Sequence, residues 1–397
     1  MATQRLIFLS DLHIGTGART NWYQPALHEP LLLAALDWVC AQAAGIAELV
    51  VLGDCFDQWT YPPDVRPPSI ADIVAQNPRV LGPGGALARV LTALDGRVTY
   101  LNGNHDMLAS AADIAAISDA AGRSMRVVTD FPYLPAAGQG QVACAHGQQF
   151  SILNAGDWGA MPASGLPVGY FITRVAALWS EQHLQPGQTV ADIAGAAEPT
   201  GWPVEKDALV TLVSSVIERK LGLAELALGT LLDATGQTDA LPVLMPDGST
   251  MTVGQARGPL YDNLYDRYKN AKLFPGAAYG DEPAFHALVG TDLRNSIDHF
   301  AHELGKRHRV VVMGHTHVDE DAPYRPLLGR DSVYANSGFG CPAGPDMQRE
   351  HQPLRPTFVE VQVDDVARQL TVLVWMVLPG PVPVVVPAPL APQKIGF

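Results

Sequence analysis

Residues 1–149 repeat one rhythm, in which short β-branched apolar runs alternate with Ala/Leu-rich stretches of helical periodicity. The runs at 6–9, 49–52, 98–101 and 141–145 read as strands, and 30–44, 86–94 and 109–121 read as helices. Such alternation implies crossover units and a sheet with helices on its faces, so the expected fold class is α/β. The rhythm resumes at 309–313 and 332–335 and continues into an expected hairpin of 357–363 with 369–377. Together these runs indicate two stacked sheets with helices outside.

Between the two rhythmic parts lies a stretch of different character. Residues 150–305 are helical and loop-rich, with breaks at Pro186-Gly187, Pro246-Asp247-Gly248 and Pro275-Gly276. Helix-forming sequence covers 204–232 and 260–273, so this part reads as a mostly helical insertion that could lie over a site. The expected organisation is a core from 1–149 and 306–378, interrupted by the insertion at 150–305 and followed by a Pro-rich tail at 379–397. At 397 residues and 47% hydrophobic side chains, the chain is large enough for one big domain with an insertion, or for two domains.

The apolar stretch at 370–390 is long enough to pass for a membrane span. Its second half, Pro-Gly-Pro-Val-Pro-Val-Val-Val-Pro-Ala-Pro, cannot form a regular helix, so a strand followed by an extended tail is expected. That tail could cover a groove or meet a partner, peripheral membrane contact included. The N-terminal apolar run is short and ends directly in Asp11, which reads as a strand and not as a signal peptide. Cys40, Cys55, Cys144 and Cys341 form no CxxC pair and read as free thiols in a reducing, cytoplasmic setting. The net charge of −14 disfavours extended nucleic-acid binding, and the basic cluster at 306–309 is short. Nothing in the sequence bears on oligomeric state.

Chemistry-bearing residues stand directly after the strands, where sheets of this class place their sites. In Asp11-Leu12-His13 the two outer side chains share a face if the strand is still extended, so a carboxylate and an imidazole can meet one ion. In Gly53-Asp54-Cys55-Phe56-Asp57, Gly53 permits a turn and Asp54 can bridge two cations, while Asp57 suits holding an imidazole or the loop. Standing alone, a block of this kind would rather be a capping or turn aspartate. In Gly103-Asn104-His105-Asp106, Asn104 offers an amide oxygen to a metal. His105 projects elsewhere and suits a substrate or leaving group, and Asp106 can orient that imidazole. His146-Gly147 gains meaning only from its company. Gly314-His315-Thr316-His317, after Val310-Val311-Val312-Met313, has metal-ligand spacing. Carboxylates, imidazoles and one amide match two divalent ions, with Mn first and Fe, Zn or Co as alternatives.

The order DxH, GDxxD, GNHD, H-G, GHxH over 5–147 and 308–340 resembles the calcineurin-like metallophosphoesterase superfamily. That resemblance implies a four-layer α/β-β/α sandwich. It implies a first metal held by Asp11, His13 and His317, a second by Asn104, His146 and His315, and Asp54 between them, with His105 as a non-ligand histidine. Ser10-Asp11-Leu12-His13 and the run from Leu52 to Trp59 are also similar to UDP-2,3-diacylglucosamine pyrophosphatases. Those enzymes have a shorter insertion and usually carry Asp after the His-Gly, where this chain has Gln148.

The expected activity is hydrolysis of a phosphodiester or pyrophosphate in a small or lipid-linked phosphorylated substrate. Two cations roughly 3.5–4 Å apart would activate a bridging hydroxide for attack on phosphorus. His105 would stabilise or protonate the leaving oxygen, and Asp106 would orient it. A nuclease or a phosphomonoesterase, including a protein phosphatase, is the alternative on the same core. A non-enzymatic scaffold should show broken ligand positions, and here every one is filled. Outside the blocks, the loop 58–68 with Trp59 and Tyr61 is a candidate aromatic wall or a Pro-stiffened surface loop, and 336–339 a candidate pocket floor or a simple turn. Arg174, Arg267, Lys269 and Arg294 are candidates for holding a second phosphate, and Trp179, Tyr261, Tyr265 and Tyr268 for the insertion's own core.

Overall fold

The computed structural model describes residues 3–148, 154, 166–194, 223–256, 304–317, 320–324, 331–339 and 356–397 of the chain. The class is α/β, with parallel and antiparallel pairing in the same sheets. Strands β1 (Gln4–Leu9), β2 (Ile46–Leu52), β3 (Val98–Leu101) and β4 (Arg126–Val127) pair in parallel. Helices α1 (Pro25–Ala41), α2 (Ile70–Gln76), α3 (Ala86–Ala93) and α4 (Ala111–Ala115) lie between them in sequence. The chain then leaves this sheet. β5 (Val142–Cys144), β8 (Val310–Met313), β9 (Glu320–Tyr324) and β10 (Ser332–Asn336) build a second sheet in the order β5-β8-β10-β9. It returns as β11 (Thr357–Asp364), antiparallel to β1, and β12 (Gln369–Leu378), antiparallel to β11.

Alternation along each strand explains how the sheets stack. Leu6 and Phe8 of β1 and Val50 and Leu52 of β2 share one cluster with Val142, Cys144, Val310, Val312, Val333 and Ala335 of the second sheet. The intervening Ile7, Leu9, Leu49 and Val51 share another with Leu32, Leu36, Leu87 and Leu91 of α1 and α3. The strands therefore read as unbroken apolar runs because both faces are covered, one by a sheet and one by helices. On the second sheet's other face, Ala143, Val311, Met313 and Tyr334 pack with Leu304 and the half-buried Phe131.

Several expectations need correction. The first helix begins at Pro25, not at residue 30; Pro25 takes the helix-starting position and Pro30 lies inside the helix. Instead of one helix over 109–121 there is only the short α4, capped by Ser110, after which Ser118 bridges Ser124. The Pro-rich tail is not a free extended segment. It forms β13 (Val384–Pro387) and β14 (Gln393–Gly396), both antiparallel to β12 at the sheet edge. An edge strand tolerates proline because its outer N–H has no ladder partner to lose.

In the insertion, α5 (Val168–His183) packs with the helix Leu223–Thr235 and the hairpin of β6 (Pro242–Leu244) with β7 (Thr250–Thr252). Trp179 is buried there, as expected of insertion core. The expected helix at 260–273, most of that at 204–232, and Arg267, Lys269, Arg294, Tyr261, Tyr265, Tyr268 and Cys341 lie outside the described residues. Cys40, Cys55 and Cys144 are free thiols. Among the described residues no helix is long and apolar enough to cross a membrane.

Candidate metal centre

Five loops, one after each of β1, β2, β3, β5 and β8, converge on one buried cluster. The first two are laced together beyond the strand ends: His13 N donates to Asp54 O at 2.8 Å, and Ile14 N to Cys55 O at 2.9 Å. From the second sheet, Gly314 N donates to His146 O at 3.0 Å, and His315 N reaches Asp11 Oδ1 at 2.9 Å. The extended-strand reading of Asp11 and His13 is wrong in its reason. Both lie past the end of β1 with left-handed φ of 55° and 48°. Asp54 (49°), His315 (70°) and His317 (57°) share that conformation, so five of the eight non-glycine residues with positive φ among the described residues are candidate ligands. Left-handed backbone costs about 1–3 kcal/mol per residue and persists where the surroundings over-determine it, typically at functional sites.

Close packing fixes the glycines of these blocks. A Cβ on Gly53 would sit 2.5 Å from the His146 ring, at a φ of +83° that side chains disfavour. One on Gly103 would sit 2.1 Å from Asp54 Oδ1.

The donor atoms form two groups with one shared member. Asp11, His13, Asp54 and His317 make the first, and Asp54, His146 and His315 the second, with all donors of each group within 4.8 Å of one another. In the first, His13 Nε2 and His317 Nε2 are 3.0 Å apart, His317 Nε2 and Asp11 Oδ1 3.4 Å, and His13 Nε2 and Asp54 Oδ2 3.7 Å. In the second, His146 Nε2 lies 3.2 Å from Asp54 Oδ2 and 3.3 Å from Asn104 Oδ1. Donors about 2.1 Å from a shared cation, at angles of about 90–109°, sit roughly 3.0–3.4 Å apart, so the spacings fit. A third grouping, His13, Asp57 and His105, is the weaker cage. The Asp57 oxygens already accept from Trp59 N (2.8 Å), Thr60 N (3.1 Å) and the Thr60 hydroxyl (2.6 Å).

Charge points the same way. Asp11, Asp54, Asp57 and Asp106 are all buried, and among the described residues no Lys or Arg pairs with any of them. Buried carboxylates need a partner or a metal. Burial, with the neighbouring imidazoles adding to it, holds the His13 and His315 pKa values well below the ordinary histidine value. His317 is also lowered, by burial first. These rings are therefore in the neutral, lone-pair-bearing form that ligates metals. Burial opposes charge on His146 too, but the Asp54 carboxylate outweighs it and holds the pKa at about 9. Asp54 thus calls for positive charge where a cation would otherwise sit. These buried Asp and His groups could hold metal ions.

Asp11 is braced from behind. The Ser10 hydroxyl donates to its Oδ2 and meets the Ser337 hydroxyl. Asn336 Nδ2 donates to Gly314 O at 2.8 Å. Residues 336 and 337 are thus buried props beneath two of the loops, while Phe339 belongs to the core.

His105 stands beside the cluster, its ring centroid 4.5 Å from that of His13. Its expected partner was Asp106, and the structure corrects this: His105 Nδ1 meets Asp57 Oδ1 at 3.1 Å. Asp106 instead accepts from Gly103 N (2.7 Å), Cys55 N (2.8 Å) and Phe56 N (3.2 Å), latching two loops together. Burial and the nearby Asp54 charge push the Asp106 carboxyl up to about 6. Burial opposes charge on His105, but Asp57 and Asp54 together outweigh it and raise its pKa.

The aromatic surroundings also differ from expectation. Trp59 is buried and stacks on His105 at 4.5 Å, and Tyr61 is buried with its hydroxyl 3.0 Å from Thr16 N, so neither forms a wall for substrate. Trp22, not singled out in the sequence, is the half-buried ring over the cluster, 4.8 Å from His13 and from His105 and 5.7 Å from His317. Its signal was its place in the loop directly after Asp11-Leu12-His13, which must border any site at that strand end. Arg174 holds no open anion position. It is fully buried and donates to the carbonyls of Tyr61 (2.6 Å), Pro62 (2.7 Å) and Leu244 (3.0 Å), tying the insertion to the loop after β2. Gln148 is buried, with Nε2 3.3 Å from Asn102 O.

No protein-family model matches the chain, and no curated protein matches it in sequence.

Proposed function

We propose that the chain is a dinuclear metal-dependent phosphoesterase of the calcineurin-like kind. In this reading it hydrolyses a phosphodiester or pyrophosphate in a small or lipid-linked substrate. The observation that carries the reading is the position of Asp54, one buried carboxylate common to two separate donor groups. A carboxylate so placed is what two neighbouring cations need between them.

Asp11, His13, His317 and Asp54 would hold one ion, and Asn104, His146, His315 and Asp54 the other. When bound, such ions activate water and neutralise phosphoryl oxygens, and Mn²⁺ suits this mixed oxygen and imidazole set. The chain's own residues supply the rest. Asp57 engages His105 Nδ1. Nε2 is then the nitrogen left to hold a proton at the leaving oxygen. Trp59, stacked on that ring, keeps its plane fixed. A charge of −14 turns polynucleotides away and favours a small substrate. A four-layer sandwich is part of this reading, and in it a second helical layer would cover the outer face of the β5-β8-β10-β9 sheet.

The test is ion content and turnover measured together. Protein stripped with chelator and reloaded with Mn²⁺, Zn²⁺, Fe²⁺ or Co²⁺ is assayed on aryl phosphodiesters, phosphomonoesters and nucleotide pyrophosphates. The expected result is two ions per chain and diester or pyrophosphate hydrolysis, with both lost in Asp54→Ala. Wild-type protein that takes up no ion, or an Asp54→Ala variant that keeps two, would refute the proposal.

A further inference from the structure

Trp22 has a position that the proposed chemistry does not use. Its ring spans His13 and His317 of the first donor group and reaches the leaving-group histidine His105 on the other side. Asp11, His13, Asp54, Asn104, His146 and His105 are nearly or fully buried, whereas Trp22, like His315 and His317, is half-buried.

The loop that carries Trp22 is held rigidly. The adjacent Asn21 side chain accepts from Ala18 N (2.8 Å) and Tyr61 Oη (3.2 Å) and donates to Thr60 Oγ1 (3.1 Å). The Thr20 hydroxyl donates to Thr60 O at 2.7 Å, and Gln24 Nε2 to Asn21 O at 2.6 Å. From the insertion side, Val190 N donates to Arg19 O at 2.8 Å, and the Arg19 guanidinium reaches the carbonyls of Gln185 (2.7 Å) and Gln188 (2.9 Å). Gly15 is pressed so closely that a Cβ there would lie 2.6 Å from Asn21 Oδ1. A large flat side chain is thus held beside the centre by a loop pinned from both flanks. Little ordering entropy remains to be lost when a ligand meets it.

We propose that Trp22 is the specificity-determining wall of the leaving-group side, and that it selects phosphoesters whose leaving group carries a planar ring. This rests on the phosphoesterase reading. Two observations favour a planar ring over an alkyl chain. The indole stands next to His105, where a leaving oxygen's substituent must pass. The other large aromatic at His105, Trp59, is buried and stacked on that ring, so among the described residues Trp22 is the part-exposed π face beside it. Flat π systems reward stacking, and aliphatic groups of equal size gain less from the same face.

The experiment is calorimetric binding of three non-hydrolysable probes to the Mn²⁺-loaded full chain: methylphosphonate, cyclohexylphosphonate and phenylphosphonate. In wild type, phenylphosphonate is expected to bind roughly tenfold more tightly than the other two, the size of one base–aromatic stack. Trp22→Leu should bring phenyl and cyclohexyl affinities within about twofold, and Trp22→Phe should keep a preference for phenyl. If Trp22→Leu does not fold, Trp22→Phe decides alone, because loss of the phenyl preference there overturns the proposal. If methylphosphonate binds but phenyl and cyclohexyl affinities are equal in wild type, the inference fails and the phosphoesterase reading stands. If none of the three binds, both fall together.

Discussion

Alanine at position 103 would put a methyl carbon 2.1 Å from Asp54 Oδ1 and 2.5 Å from Asp54 N. Ordinary contact begins near 3.4 Å, so the carboxylate must withdraw by about 1.3 Å. A rotamer change alone cannot provide this. The Asp54 backbone is itself in the way, and Oδ1 is held by a 2.8 Å bond from His105 N. Because Asp54 belongs to both donor groups, the movement disturbs both. Misplacing a reacting group by about 1 Å costs on the order of 100-fold in rate, so Gly103→Ala should lose at least that much turnover. Ion content, measured by mass spectrometry after gel filtration, should fall with it. Gly229→Ala, in the helix Leu223–Thr235 with nothing within 4 Å of the new methyl, is the control and should behave as wild type. A Gly103→Ala enzyme with full ion content and a rate within about threefold of wild type would refute the reasoning.

His105→Ala should keep its ions yet lose roughly 100-fold or more in rate, and a metal-replete, fully active variant would remove His105 from the chemistry. Asp57→Ala should slow turnover in the same direction, checked in the same assay, because it frees His105 Nδ1 as well as the Trp59 and Thr60 amides. Arg174→Ala strips the partners from several buried carbonyls and should cost on the order of 4 kcal/mol, read as a lower urea midpoint at unchanged slope. Burial lowers the His28 pKa to about 4, against a smaller upward push from the Gln24 carbonyl. The unfolded chain therefore takes up that proton first as the pH falls. The contribution is complete above about pH 6.5 and is lost towards about pH 4, by about 3 kcal/mol. Urea titrations at both ends of that window should show His28→Leu lacking this part of the acid sensitivity.

The parts of this fold that were legible were those whose local pattern has one physical solution. β3 falls where its apolar run puts it because a strand buried on both faces tolerates nothing else, and the hairpin of β11 with β12 falls where alternation along β12 and the turn residues put it. The site blocks were legible for a related reason: each follows a strand, and parallel strands deliver their ends to one place. What the sequence could not show was which carboxylate meets which ring. Asp57 and Asp106 are alike on paper, and only the turn that folds Asp57 back onto Trp59 and Thr60 decides that it reaches His105. Trp59 departs from its expected place as a wall because burial depends on the insertion, which packs on it, while Trp22, which drew no notice in the sequence, stays half-buried. The tail was misread because proline excludes helix but not the outermost strand of a sheet.

The left-handed turns under Asp11, His13, Asp54, His315 and His317 bear on what selection must be doing to this chain. At each of them glycine or asparagine would relax the backbone, so thermodynamic drift runs away from the residues present. A lineage released from its chemistry would gain stability with each loss, and five such gains are open to it at once. All five positions still carry carboxylates or imidazoles. In the proposed centre, holding these turns is a continuing expense in folding free energy.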